Sequence, residues 1–376
     1  MNIDSIKYLV MGGSHLYGLN VENSDVQLTG FYYQSKKERD SLFFRKDIVY
    51  NDPKVLECWR CLHDRSDVRF GCTLYSLSKF FKLASELSPK ILSILFVDSR
   101  SIISCTQPVL DLLIKNRNLF LSKRISSTFL GYVSFKMRKI KMCRDWISQP
   151  PDHSPTREEF GLPELDPNTE MMVDLILNKS YECWNFDSME IDHDSKILLK
   201  QRLVEMLNSF VTPTSFGEVK DRIQQQNLEY FIAYMKPTSE LITLLRNENE
   251  YRNAVYNWEG YETWKRTNEG KSMEAFQQVG YDSKSAMDMV KTLRMTLEII
   301  STRKFNVTRT EDGEELLQIR NGSWTLDQLT TYKADMESRI QKECETSSLP
   351  DSVNLDKIND FYLNLLERLD HDYDVS

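Results

Sequence analysis

The sequence predicts a mixed α/β domain followed by a mostly α-helical region. The first observation behind this is the opening stretch, residues 7–34. Two strand-like runs there flank Gly12-Gly13-Ser14 and the polar turn Glu22-Asn23-Ser24. The second is composition: only 13 Gly and 11 Pro in 376 residues, with long stretches of apolar residues at helical spacing. The third is a Pro-rich connector, QPPDHSPTREEFGLPELD at 149–166, the clearest boundary in the chain. The expected domains are therefore 1–148, mixed α/β, and 167–376, mostly helical.

Composition narrows the function classes. Hydrophobic content of 40% suits packed cores and excludes a disordered chain. A formal net charge of −8 excludes a general polyanion binder, so any nucleic-acid contact needs a local basic patch. No apolar run is long enough to cross a membrane, and Asp4 and Lys7 interrupt any signal-peptide layout. Seven scattered cysteines predict free thiols in a reducing cytoplasm, a host's if the chain is viral.

Taken in order, residues 8–11 read as a buried-type strand entering the Gly-Gly-Ser turn. A helical turn follows through His15, Leu16 and Tyr17, and Gly18 breaks it. A second strand runs from Asp25 to about residue 33. Side chains alternate along it, so Asp25 and Gln27 share one face while Val26 and Leu28 face a core. Lys36 to Asp40 read as a charged turn, and 48–50 and 68–75 as strands. Residues 76–99 read as two helices broken at Pro89. A strong amphipathic helix is expected over 126–147, with Phe129, Val133, Met137, Ile140 and Ile147 on its apolar face. Lys136, Arg138, Lys139, Lys141 and Arg144 crowd the rest. That is the best local basic patch, suited to phosphate contact and equally well explained by solvation. Beyond the connector, 198–210 is the most regular helical piece, and Trp258, Tyr261 and Trp264 recur at a spacing of three. A helix from Ser283 should bury Ala286, Val290, Leu293, Leu297 and Ile300, leaving Lys284 and Lys291 outside that core. The last residues, HDYDVS, should fray.

The chemistry concentrates at the start of the chain. Backbone N–H groups of a Gly-Ser turn entering a helical start hold phosphate oxygens. Two acids at i and i+2 on the next strand would hold Mg²⁺ against those phosphates. Gly-Gly-Ser alone is more often just a turn. Joined to Tyr17-Gly18, Ser24-Asp25 and Gly30, it resembles the DNA polymerase β superfamily of nucleotidyltransferases, and within it the RlaP-like branch of predicted RNA-repair enzymes. The resemblance extends to 270–335, where Gly280, Tyr281, Asp282, Lys284, Ala286 and Arg294 match the family's helix. The sequence departs at the second acid, where Gln27 stands. It also carries Asp288 and Lys291 where the family's usual residues are His and Arg.

The resemblance implies a polymerase β-like α/β nucleotidyltransferase domain, Mg²⁺ as cofactor, and NTP and RNA, tRNA included, as partners. Asp25 and Asp67 would be the catalytic acids and, with Gln27, the metal ligands. The third acid's usual position lies nearer Gly71 than Asp67. Gly13, Ser14, Tyr17, Lys284 and Arg294 would bind the nucleotide. The implied activity is transfer of a nucleoside monophosphate from NTP to RNA or another hydroxyl. Because Gln27 brings no charge, that activity is expected to be weak or lost. The alternative is a non-catalytic protein on the retained fold that binds nucleotide, RNA or a protein partner. Cys58, Cys61 and His63, with Cys72, have the look of a zinc site, but a single CxxC is usually chance, and free thiols are expected.

Overall fold

The structure, a computed structural model, describes residues 3–22, 24–42, 46–62, 69–163, 180, 182–185, 188–211, 229–233, 235–268 and 271–375. The chain forms two compact units, one of residues 1–140 with 282–376, the other of 141–281. The boundaries expected above, 1–148 and 167–376, divide the chain by sequence order. The compact units divide it by contact.

The first unit is built on a five-stranded mixed sheet: β1 (Ile6–Gly12), β2 (Val26–Tyr32), β3 (Ile48–Tyr50), β4 (Phe70–Ser76) and β5 (Ile102–Cys105), in the order β3-β4-β2-β1-β5. Only β2 and β4 run parallel, with Gln27 opposite Gly71 and Thr29 opposite Thr73. β1 pairs antiparallel with β2, placing Gly12 opposite Gln27. The sheet's two faces bury different cores. Leu9, Val26, Leu28, Tyr32, Cys72 and Leu74 fill one. Tyr8, Val10, Phe31 and Tyr75 open onto the other, larger core.

That larger core is closed by helices from both ends of the chain. α1 (Lys36–Arg39) is one helical turn where a charged turn was expected. Ser35 and Glu38 form a reciprocal capping box that holds it. α2 is Pro53–Leu62. α3 (Leu77–Ser85) and α4 (Pro89–Leu95) break at Pro89, as the proline's missing N–H requires. α5 is Gln107–Asn116 and α6 is Arg124–Ser148. Phe129, Val133, Met137 and Ile140 of α6 are buried, and Ile147 is half-buried.

The returning segment supplies α10 (Ser283–Thr302), α11 (Gly313–Arg320), α12 (Leu326–Thr346) and α13 (Leu355–Val375). α10 buries Ala286, Val290, Leu293 and Ile300, while Leu297 is half-buried. Lys284 is exposed as expected, but Lys291 is 4% exposed, which corrects its placement outside the core. Residues 305–308 form no strand, yet Phe305 and Val307 are both buried. The C-terminus does not fray at 371: α13 continues, and the Tyr373 ring lies 5.4 Å from that of Tyr33.

The second unit contains α7 (His193–Val211), α8 (Ser239–Thr267) and α9 (Lys271–Val279). Trp258, Tyr261 and Trp264 stack in succession along α8, with Trp146 and Phe276 joining the cluster. The connector is pinned to α8 by Arg157, which reaches the buried carboxylate of Glu248 at 3.0 Å. Among the described residues, no helix is long and apolar enough to cross a membrane.

Candidate active site

The opening loop is shaped by its own backbone. Gly13 has φ 66°, a left-handed conformation that glycine adopts without strain. The Ser14 carbonyl accepts from the Tyr17 and Leu19 amides, closing a tight turn over His15–Tyr17. Ser24, buried, accepts from the Val21 amide at 2.8 Å and so fixes the entry to β2. Asp25 is exposed and lies one residue before β2; the following amide, Val26, donates to the Arg69 carbonyl. From there one face of β2 runs inward: Asp25 exposed, Gln27 half-buried, Thr29 and Phe31 buried. A Cβ on Gly13 would lie 3.6 Å from that of Gln27, so the turn sits beside this face.

Gln27 does not reach outward. Its Nε2 donates to the Thr73 Oγ1 at 3.3 Å, across the parallel ladder. Its Oε1 rests over Gly71, where a Cβ would collide with it. The carboxamide therefore occupies the space beside β4 where a side chain at 71 would stand. Asp67 lies outside the described residues. Among those described, no three His, Cys, Asp or Glu side chains gather to hold a metal ion. Of the three expected metal ligands, the described residues hold one exposed carboxylate, Asp25, and a carboxamide turned onto its neighbour. The CxxC reading falls on side chains outside the described residues; Cys72 is a buried thiol whose pKa burial pushes up to about 12.

Behind the turn, Tyr17 ties the loop to α4 and α10. Its hydroxyl donates to the Ser93 Oγ at 3.1 Å, and the Lys291 ammonium sits 3.3 Å from its ring centroid. Lys291 also reaches Asp288 at 2.5 Å, and Lys136 of α6 reaches the other Asp288 oxygen at 2.8 Å. The Tyr132 hydroxyl donates to that same oxygen. Burial alone would raise the Asp288 pKa, but the two ammoniums outweigh it and hold the carboxyl well below the usual range. For Lys291 burial pulls the other way, and Asp288 more than restores the charged form. Six residues earlier, Asp282 caps α10 through Ser285 and pairs with Lys139 at 2.9 Å.

Two cations of the expected basic patch, Lys136 and Lys139, are thus engaged internally. Lys141 and Arg144 are exposed. The Arg138 Nε and Nη1 are buried and have no hydrogen-bond partner among the described residues. Lys284 is exposed at the start of α10. Arg294 is engaged by Asp312, Glu315 and the Tyr332 hydroxyl. The structure therefore brings Gly13, Ser14, Tyr17, Asp25 and Gln27 together at one end of the sheet. It gives Arg294 acidic partners rather than an open face.

The Asp288 cluster was not foreseen. The pairing of Asp288 with Lys291 at i, i+3 was readable on the helix's polar side. Nothing in the sequence sets Lys136 and Tyr17 against them.

Residues 3–146 match the family described as RlaP, RNA repair pathway DNA polymerase beta family. No curated protein and no solved structure matches the chain. The matched span holds the sheet, the Gly13-Ser14 turn and Asp25, and ends on the basic helix α6. Sheet, motif loop and match agree: over residues 3–146 the chain is similar to the RNA repair pathway DNA polymerase beta family.

Proposed function

We propose that this chain is a nucleotidyltransferase-fold protein whose transfer of a nucleoside monophosphate from an NTP to RNA, tRNA included, or to another hydroxyl is weak or lost. In this reading its remaining work is to hold a nucleotide or RNA. The observation that carries it is Gln27: a neutral carboxamide at the second acid position, bonded to Thr73 and laid over Gly71. Phosphoryl transfer depends on charge placed where the triphosphate and the attacking oxygen meet. When bound, divalent metal supplies that charge in enzymes of this superfamily. Here Asp25 is the described carboxylate able to draw it in. Gly13 and Ser14 would orient phosphate oxygens through the turn's backbone, and the exposed Lys284 would add a distant cation.

The test is incubation of the purified protein with each labelled NTP, Mg²⁺ or Mn²⁺ and total RNA. Little or no labelled product is expected, while RNA or nucleotide binding remains measurable by filter retention. Gln27→Asp should strengthen metal–NTP binding. Robust turnover by the unaltered chain, abolished by Asp25→Ala, would overturn the reading.

A further inference from the structure

We infer that Asp288 is the built-in counter-ion of a concealed polyphosphate site formed by Lys136 and Lys291 behind the Gly13-Ser14 turn. The argument starts from charge. Two ammoniums converge on one carboxylate at 2.8 and 2.5 Å, with the Tyr132 hydroxyl on the same carboxylate. The group keeps one net positive charge. It is also not sealed: Lys136 and Asp288 side chains are 17% and 20% exposed, against 5% for Lys291. Its inner wall is the Tyr17 ring, which belongs to the turn that follows Ser14.

An anion arriving at the loop therefore meets cations already satisfied by an intramolecular acid. Charge-assisted bonds of this length are the strong ones, and the tethered carboxylate competes at every encounter. Held so, the pair lends little attraction to a nucleotide's phosphates. With the carboxylate neutralised, two converging ammoniums and a hydroxyl donor match the oxygens of a chain of phosphates. The inference deepens the reading above and rests on it only in placing the site beside the nucleotide loop.

Inorganic tripolyphosphate is the probe, which keeps the test independent of turnover. Isothermal titration at low salt compares the unaltered chain, Asp288→Asn, and Asp288→Asn combined with Lys291→Met. Asp288→Asn should bind tripolyphosphate about tenfold or more tightly than the unaltered chain. The added Lys291→Met should abolish the gain, while Lys115→Met on α5 in its place should leave it intact. Asp288→Asn strands a buried ammonium and could fail to fold alone. In that case, refolding with and without tripolyphosphate decides: recovery of soluble, cooperatively melting protein only with the anion supports the site. No gain in a folded Asp288→Asn, a gain that survives Lys291→Met, or no recovery on refolding with the anion each overturns the inference.

Discussion

Aspartate and glutamine at position 27 differ by one formal charge and one methylene, yet they leave the sheet with different surfaces. A carboxylate would repel the Thr73 hydroxyl oxygen unless the hydroxyl turned to donate, and would look outward for a cation. The carboxamide donates to Thr73 and lies down on β4. Gly71 is what makes room for it, because any Cβ there meets the Gln27 Oε1. Gly71→Ala should therefore cost about 1–3 kcal/mol by forced repacking, measured by chemical denaturation. In a Gln27→Ala background the same change should be close to neutral, since the obstructing atoms are gone. Equal costs in both backgrounds would show that the contact is not what reserves position 71 for glycine. The missing acid was legible in the sequence as a departure from Asp25's motif. The resting place of the carboxamide was not, because it depends on the parallel register of β2 with β4.

Helices were legible where one periodicity dominates. In α6 the spacing of Phe129, Val133, Met137 and Ile140 reports a single buried stripe, and all four are buried. α10 obeys its stripe too, but it is buried on further sides. Thr292, Thr296 and Lys291 are also inside, with the threonines donating to carbonyls one turn back and Lys291 neutralised by Asp288. A helix with a polar side reads as half-exposed from sequence; only the strands and helices packed round it show otherwise. Residues 305–308 alternate in burial without forming a strand. Phe305 packs against Phe96 and Phe129. Alternation alone does not supply a ladder partner. The consequence for α10 can be measured. Leu293, fully buried, should lose about 2–5 kcal/mol on change to Ala. Half-buried Leu297 should lose clearly less under the same denaturant titration. A reversal of that order would mean the buried stripe is centred elsewhere.

The first unit is closed by carboxylates that tie the chain's two ends together, and this fixes how its stability responds to acid. Asp282 holds Lys139, Asp288 holds Lys136, and Asp370 holds Arg39 through a pair of hydrogen bonds while accepting from Tyr33. Each joins residues 282–376 to residues 1–140, an association that sequence order hides and that motif residues at both ends of the chain only hinted at. All three carboxyls have pKa values below the ordinary one. For Asp282 and Asp288, burial opposes the shift and the lysines outweigh it; for Asp370, the hydrogen bond from Arg39 leads. A carboxyl whose pKa is lower in the folded than in the unfolded chain binds fewer protons when folded. Its contribution is therefore complete above the unfolded value, about 3.9 for Asp, and drains away as pH falls through that value toward the folded one. The melting temperature should be nearly level from pH 7 to about 5, then fall steadily below about 4. Asp370→Asn should lower the plateau and make the acid limb shallower, because one of the three titrating ties is gone. A melting temperature that holds level to pH 3, or a variant whose acid limb is as steep as the unaltered chain's, would show that these ion pairs do not close the unit.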